Sequence, residues 1–319
     1  MLRAKLQIKQ TLWLACLLAL VATFITACGA DRETALIKSD AELMAATQKG
    51  DFDKAIEEGD QAWLERADRK KLEASIAAWE KAATIETPNL SETERREALY
   101  GLQTKLARAY YFLADSHIRL SGSGEAIEEE MMTVYNQGVT AAEKGMALYS
   151  PEFAQAIKLE KPMPEAIQLL DKGAVGSMYW YATNVGKWAL LAGFAEILSR
   201  KDNIKAIMDR VEQLDSLYFY GAPYRYFGAY YTKLPFPGGD LDKSKQYFDK
   251  AIAASPEYLA TRVLLAEMYA TKAEKKDIYK EQLEFVLKYD LEQSPELKAE
   301  NLFEQKKAQR LLDKINDNF

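Results

Sequence analysis

Hydrophobic residues recur every three or four positions along most of the chain after residue 51, the spacing that places them on one face of an α-helix. One such face runs through Leu72, Ile76, Trp79 and Ala82, at i, i+4, i+7 and i+10. No convincing run of alternating polar and apolar residues indicates a β-strand. The pattern therefore predicts an all-α fold.

Turn and capping residues predict where the helices begin and end. Ser91 followed by Glu94 is a capping-box pattern, which marks a helix start. Gly-Gly-Asp at 238–240 is interpreted as a tight turn in which the glycines adopt positive φ and Asp240 caps the next helix. We predict helices over 98–120, 125–149, 173–198 and 203–217, and irregular structure over 151–172.

The segment 217–256 contains two helical patterns on either side of a Pro/Gly turn. Its small and aromatic residues follow a fixed order: Gly228, Tyr231, Ser244, Phe248, Ala251 and then the helix-stopping Pro256. Ser75, Trp79 and Ala82 repeat the second half of that order. The order resembles a tetratricopeptide (TPR) unit. The resemblance implies a TPR-like α-solenoid of stacked antiparallel helix pairs, forming one domain over 51–319 and capped by its last helix.

The first residues have the pattern of an export signal. A basic start, with Arg3, Lys5 and Lys9, precedes a short apolar run and then Ile-Thr-Ala-Cys, which ends at Cys28. These four residues resemble the bacterial lipobox. The resemblance implies removal of a lipoprotein signal peptide over 1–27.

Lipid would then be attached to Cys28, and residues 28–50 would tether the periplasmic domain to a membrane. Gly29, rather than Asp, favours the outer membrane. The alternative is an ordinary secretory signal with an incidental cysteine.

Cleavage at this position restricts the chemistry of the mature chain. The only other cysteine, Cys16, lies in the removed segment, so neither a free thiol nor a disulfide is expected. Loss of three positive charges takes the formal net charge from −6 to −9, which disfavours nucleic acid as a partner. His117 is the one histidine, and neither a catalytic triad nor metal-ligand spacing surrounds it in the sequence. We therefore expect no catalytic activity, metal or cofactor.

Four segments in the second half carry a more specific resemblance. They are Tyr179-Trp180 with Gly186-Lys187-Trp188; Asp215 with Tyr218, Tyr220-Gly221 and Arg225; Gly228-Ala229-Tyr230-Tyr231 with Leu234-Pro235, Gly238-Gly239-Asp240 and 248–252; and Glu300-Asn301-Leu302 with Ala308, Leu311-Leu312 and Phe319. Together they resemble the T component of tripartite ATP-independent periplasmic (TRAP) transporters. One departure is Tyr224, where we expect many relatives to carry His.

The resemblance implies a non-catalytic periplasmic lipoprotein that binds a solute-binding protein and forms homo-oligomers. It also implies a pore or cleft through the helices for organic acids, including hydrophobic ones. The alternative function is a TPR-like envelope scaffold for outer-membrane or polysaccharide-export assembly.

The aromatic residues of this region are the best candidates for a site. A cleft accepts ring faces and leaves tyrosine hydroxyls in water, whereas a buried tyrosine needs a hydrogen-bond partner. Trp180 and Phe248 are expected in the core. The candidate ligand- or partner-binding residues are Tyr179, Lys187, Trp188, Tyr220, Tyr224, Arg225 and Tyr231.

Arg225 suits a carboxylate, because a guanidinium donates paired hydrogen bonds. The alternatives are ordinary interhelix packing for the rings, and a surface ion pair or a partner contact for Arg225.

Overall fold

The computed structural model describes residues 34–234 and 238–319. Within these ranges the regular structure is helical, and the only strand-like pairing is an isolated bridge between Gln48 and Ile85. Ala35–Phe319 form one compact unit of helices packed against one another. The prediction of an all-α helical-repeat fold is therefore confirmed. The predicted signal peptide, the predicted lipid-bearing Cys28, and Pro235 and Pro237 of the predicted turn lie outside the described residues.

The main helices follow one another with short connections. They are α1 Phe52–Leu64, α2 Arg69–Thr84, α3 Glu92–Phe112, α4 Glu125–Tyr149, α5 Pro151–Lys158, α6 Val175–Ala192, α7 Phe194–Asp215, α8 Tyr218–Lys233, α9 Leu241–Ala254, α10 Ala260–Leu264, α11 Lys276–Lys288 and α12 Lys298–Asp313. Two π-helical turns, Leu113–Ile118 and Leu265–Ala270, continue α3 and α10.

A close contact at Gly228 explains why α8 and α9 form a pair. A Cβ on Gly228 would lie 2.8 Å from the ring of Phe248, so only glycine lets the two helices approach this closely. Ser244 Oγ then donates a 2.7 Å hydrogen bond to the Gly228 carbonyl. Because Phe248 and Ala251 are fully buried beside this contact, the predicted unit is held by packing and by a buried hydrogen bond.

The same arrangement holds α1 against α2. Ser75 Oγ donates to the Gly59 carbonyl at 2.8 Å, and the two residues are 16 apart in sequence, as are Ser244 and Gly228. A Cβ on Gly59 would lie 2.4 Å from the indole of Trp79. The first and the later pair are therefore built on one pattern of glycine, serine and aromatic residue.

Several predicted boundaries are confirmed. Ser91 and Glu94 form the capping box at the start of α3, and Asp240 accepts a hydrogen bond from the Lys243 amide at the start of α9. The helix predicted over 125–149 has those bounds.

Three expectations are wrong. The helix predicted over 173–198 breaks at Gly193, whose φ of 113° is incompatible with a helix. The segment 151–172 contains α5 rather than irregular structure alone. Gly239 does not adopt positive φ, and glycine is instead required there because a Cβ would lie 2.4 Å from the Leu234 carbonyl oxygen.

The last long helix does more than cap the stack. Glu300 on α12 accepts hydrogen bonds from Arg66, which follows α1, at 2.6 Å and from Arg108 of α3 at 2.9 Å. Arg310 donates to the carbonyls of Arg119 and Leu120, both at 2.9 Å, where the long α3 segment ends. The C-terminal helix thus joins the last helices to the first ones.

Candidate functional site

A cleft opens between α6, α7, α8 and the segment that contains α10. It contains about 1020 Å³ of empty space, the open solvent at its mouth included. Most of its wall is apolar or aromatic, with four cationic side chains. Its lining consists of Tyr111, Tyr179, Ala182, Thr183, Gly186, Lys187, Ala189, Leu190, Ile197, Lys201, Ile204, Ala222, Arg225, Tyr226, Ala229, Tyr230, Lys233, Leu234, Tyr258, Ala260, Leu264 and Met268.

Helical spacing divides the tyrosines of α8 between two surfaces. One face lines the cleft at i, i+4, i+7, i+8 and i+11, with Ala222, Tyr226, Ala229, Tyr230 and Lys233. The opposite face meets α9, where Tyr231 stacks on Tyr247 at 5.9 Å between ring centroids and Tyr224 lies 6.4 Å from the same ring. Tyr224 and Tyr231 therefore belong to the helix pair and do not line the cleft.

The first turn of α8 has an unusual, non-helical backbone. Phe219, Tyr220 and Gly221 have φ values of 43°, 61° and 68°, all in the left-handed region. Two of the three carry side chains, and each such residue costs about 1–2 kcal/mol. The conformation therefore persists only because surrounding contacts hold it.

Arg225 supplies two of those contacts. Its Nη1 donates to the Tyr220 carbonyl at 2.6 Å and its Nη2 to the Phe219 carbonyl at 3.1 Å. The guanidinium also lies over the ring of Tyr258, at 4.3 Å, and Tyr220 stacks on that same ring with centroids 5.1 Å apart. Arg225 is thus a buried brace for the left-handed turn rather than a surface ion-pair residue.

The charge of Arg225 is not neutralised by a neighbouring acid. Its side chain is only 4% exposed, and no carboxylate among the described residues forms an ion pair with it. Lys233, another cation of the cleft wall, also forms no ion pair within the described part of the chain. Desolvation lowers the pKa of Lys233, and the neighbouring Lys187 and Lys272 lower it further despite the nearby Glu267. The cleft wall therefore contains two cations that have no acidic partner among the described residues.

Lys187, by contrast, has a partner. Its Nζ donates to Asp115 Oδ1 at 2.6 Å, and Lys307 from α12 donates to Asp115 Oδ2 at 2.5 Å. Burial alone would raise the pKa of Asp115, but Lys187, Lys307 and Arg119 outweigh it and hold that pKa well below its ordinary value. Lys187 lines the cleft, but its positive charge is paired with Asp115, which lies outside the lining.

Both π-helical turns contribute acids to this buried group of charges. Asp115 lies in the first turn and Glu267 in the second, and Arg119 contacts them at 3.5 Å and 2.5 Å. A π turn inserts one extra residue and so re-aims the side chains that follow it, which is why such turns are frequent at functional sites. Here they bring acids from two distant segments to one arginine.

The structure brings together three of the seven predicted site residues. Tyr179, Lys187 and Arg225 line the cleft. Trp188 instead lies under the guanidinium of Arg200, at 4.8 Å, and Tyr220 belongs to the braced turn. The prediction that Trp180 and Phe248 lie in the core is confirmed, since they are 2% and 0% exposed.

Sequence reasoning missed several wall residues. Tyr111, Lys201, Lys233 and Tyr258 line the cleft but are absent from the predicted set. For Lys233 the necessary pattern was present, because it lies eight residues after Arg225, on the same side of one helix. Tyr111 and Tyr258 come from distant segments, which only the tertiary fold brings to the cleft.

An apolar rim borders the mouth of the cleft at the turn between α6 and α7. Leu190 and Ile197 line the cleft, and Phe194 beside them is 57% exposed. Leu198 is also exposed, one helical turn beyond Phe194. These exposed side chains form a small hydrophobic surface next to the opening.

The described residues include neither a membrane-spanning helix nor a metal-binding group. No described helix combines the length and the apolar character needed to cross a membrane. Residues 34–234 and 238–319 contain no group of acidic, histidine or cysteine side chains placed to hold a metal ion. The ring of His117 forms a 2.9 Å hydrogen bond to the Arg66 carbonyl, which accounts for it structurally.

Paired helices, a repeated glycine–serine–aromatic contact and an internal cleft define a helical-repeat protein with a cation-bearing aromatic cavity. The family model of the TRAP transporter T-component (TAtT) matches residues 93–319, and the chain belongs to that family. The match covers α3 from its second residue and all of α4 to α12, and so the whole cleft. A comparison with curated proteins found no match.

Proposed function

We propose that this protein is a non-catalytic, periplasmic component of a TRAP-type uptake system, anchored by lipid at Cys28. It binds the system's solute-binding protein and receives a hydrophobic organic acid in the cleft. Membership of the T-component family supports the association with such a transporter. The protein would act as a homo-oligomer at the membrane, with the outer membrane the favoured site.

The chemistry of the cleft carries the ligand proposal. Arg225 and Lys233 lie in a wall made mostly of aromatic and aliphatic side chains, and neither has a carboxylate partner among the described residues. A cation in an apolar wall attracts an anion strongly, because little water competes with the ligand. A carboxylate on a hydrophobic body matches both features.

The apolar rim supports docking of the solute-binding protein at the same opening. Phe194 and its neighbours lie directly beside the cleft, so a partner covering them would face the cavity. Exposed aromatic residues are frequent anchors of protein interfaces. A ligand could then pass between the two proteins without entering bulk water.

The ligand proposal is tested with octanoate and octanol, which share an aliphatic chain and differ in charge. Thermal unfolding of the purified protein is followed with each compound. We expect octanoate to raise the melting temperature more than octanol does, and Lys233→Met to remove the difference. Lys275→Met, an exposed lysine outside the cleft, is the control. Equal effects of the two compounds on the wild type would refute a carboxylate site.

The partner proposal is tested by crosslinking and co-purification from the native host. We expect the wild type to capture a solute-binding protein, and Phe194→Ser to reduce the yield severalfold. Phe285→Ser is the matched control, since Phe285 is an exposed phenylalanine that does not line the cleft. Recovery of outer-membrane assembly proteins alone would favour the scaffold function instead.

A further inference from the structure

A second groove lies between α2, α3 and α4 and shares no lining residue with the aromatic cleft. It contains about 890 Å³ of empty space, open solvent included. Its floor is one face of α3, with Gln103, Leu106 and Tyr110 at i, i+3 and i+7. The walls come from α2 and α4, and their lining residues are Glu80, Ala83, Thr84, Thr133, Asn136, Gln137, Thr140, Ala141 and Lys144.

The floor contains a buried amide without a partner. Gln103 is only 7% exposed, and its side chain forms no hydrogen bond with any described residue. The Gln103 amide atoms are not among the fully enclosed, unsatisfied polar atoms of the described residues, so they reach the groove, where water or a ligand can bond to them. The neighbouring Tyr110 is different, because its hydroxyl already donates to Glu80.

A cation lies at one end of the groove. Lys144 is half-buried, and no acid among the described residues forms an ion pair with it. Desolvation lowers the pKa of Lys144, and the charge of Lys38 lowers it further, while Glu80 opposes both with a smaller effect than Lys38. This end is therefore positive and attracts a carboxylate.

The remaining polar groups suit a peptide backbone. Amide side chains offer both a donor and an acceptor, as each residue of an extended backbone does. From Thr133 to Lys144 the α4 wall is about 16 Å long, at 1.5 Å per residue. An extended chain rising about 3.3 Å per residue covers that length with about five residues.

A sugar fits this groove less well. Saccharides favour an exposed aromatic face to stack on, and the only aromatic residue of the lining, Tyr110, is 6% exposed. The groove thus offers hydrogen bonds, the unpaired cation of Lys144 and a Glu80 carboxylate already bonded by Tyr110, but almost no ring surface. That combination favours a polar peptide with an acidic group.

We propose that the groove between α2, α3 and α4 binds a short extended peptide segment, with its backbone on Gln103, Asn136 and Gln137 and an acidic side chain at Lys144. The protein would then have two binding sites of different chemistry, one for a small hydrophobic anion and one for a peptide. The inference does not depend on the function proposed for the cleft.

The test uses two fluorescein-labelled pentapeptide pools with capped ends. One pool has Glu at its central position and the other has Gln, and the remaining positions are randomised over small and polar residues. Fluorescence anisotropy measures binding to the purified protein. We expect the Glu pool to bind about tenfold more tightly, because a hydrogen bond to a charged group is worth about 1.5–3 kcal/mol.

Three variants separate the contributions. Lys144→Met should abolish the preference for Glu, whereas Gln103→Leu should weaken both pools similarly. Gln103→Leu should also keep or raise the melting temperature, since it replaces an unpaired buried amide by an apolar side chain of similar size. Lys275→Met is the control for a simple loss of positive charge.

The proposal fails if neither pool binds at about 1 mM protein, a concentration that detects even contacts of about 4 kcal/mol. It also fails if Lys144→Met retains the preference for Glu. Binding of maltotriose that Gln103→Leu removes, without peptide binding, would assign the groove to a saccharide. The octanoate response of the cleft should persist in all three variants, which distinguishes failure here from failure of the proposed function.

Discussion

Asp115 is the residue whose loss should affect stability most sharply. Its side chain is 8% exposed and is held between the ammonium groups of Lys187 and Lys307, at 2.6 Å and 2.5 Å. The substitution Asp115→Asn keeps the shape and removes the charge. Lys307, itself 4% exposed at its side chain, then retains Glu304 as its one acidic partner among the described residues.

The expected loss of stability in Asp115→Asn follows from the burial of its ion pairs. Breaking a buried ion pair by removing one partner costs about 3–5 kcal/mol, because an uncompensated charge remains in a medium of low polarity. For a protein of this size about 1 kcal/mol shifts the melting temperature by about 2–4 °C, so we expect a fall of about 10 °C. Asp249→Asn is the matched control: its 2.8 Å pair with Lys245 has nearly the same geometry but is exposed, and should be worth less than about 1 kcal/mol.

The assay is thermal unfolding at pH 7, followed by circular dichroism, on the wild type, both single variants and Asp115→Asn combined with Lys307→Met. The double variant removes both charges of the closest pair, so it should recover part of the lost stability. If Asp115→Asn melts within about 2 °C of Asp249→Asn, the buried charge group does not stabilise the fold more than an exposed ion pair does.

Further predictions concern pH, helix contacts and the braced turn. Folding lowers the pKa of Asp115, so its contribution to the free energy of unfolding is fully present above its unfolded pKa of about 3.9 and is lost as the pH falls through its folded pKa. Below about pH 4, the melting temperature of the wild type should therefore fall more steeply than that of Asp115→Asn. Gly228→Ala should destabilise by about 1–3 kcal/mol, because its Cβ would lie against Phe248, whereas Gly101→Ala, which meets nothing within 4 Å, should stabilise its helix by about 0.5–1 kcal/mol in denaturant titrations. Arg225→Met should expose the braced turn to limited proteolysis near residue 220, and unchanged cleavage would show that the two carbonyl hydrogen bonds do not hold it.

Sequence patterns correctly predicted the helix caps and the contact within one helix pair, because both depend on residues close in sequence. Ser91 and Asp240 form the expected caps because a cap needs only neighbouring backbone amides. Gly228 and Phe248 form the expected close contact because the TPR-like order encodes one helix pair. Gly193 was missed as a break because its flanking residues continue an apolar pattern, and a glycine within such a pattern is common in real helices.

The site was only partly predictable because it depends on which face of α8 meets which neighbour. Adjacent tyrosines of similar character point to different surfaces: Tyr230 lines the cleft, whereas Tyr231 packs on α9. Assigning them required knowledge of the pairing partner. Asp115 and Glu267, the acids of the two π turns, come from segments more than a hundred residues apart, and no local pattern relates such segments.

The attachment of α12 to the first helices has a consequence for how the chain is made. In an ordinary solenoid each repeat contacts only its neighbours, so folding can proceed from one end as the chain emerges. Here Arg66 and Arg108 acquire their buried carboxylate, Glu300, only after nearly the whole chain has been synthesised. Until α12 has been synthesised, Arg66 and Arg108 lack this acidic partner. A chain truncated before α12 should therefore be unstable and be degraded by proteases.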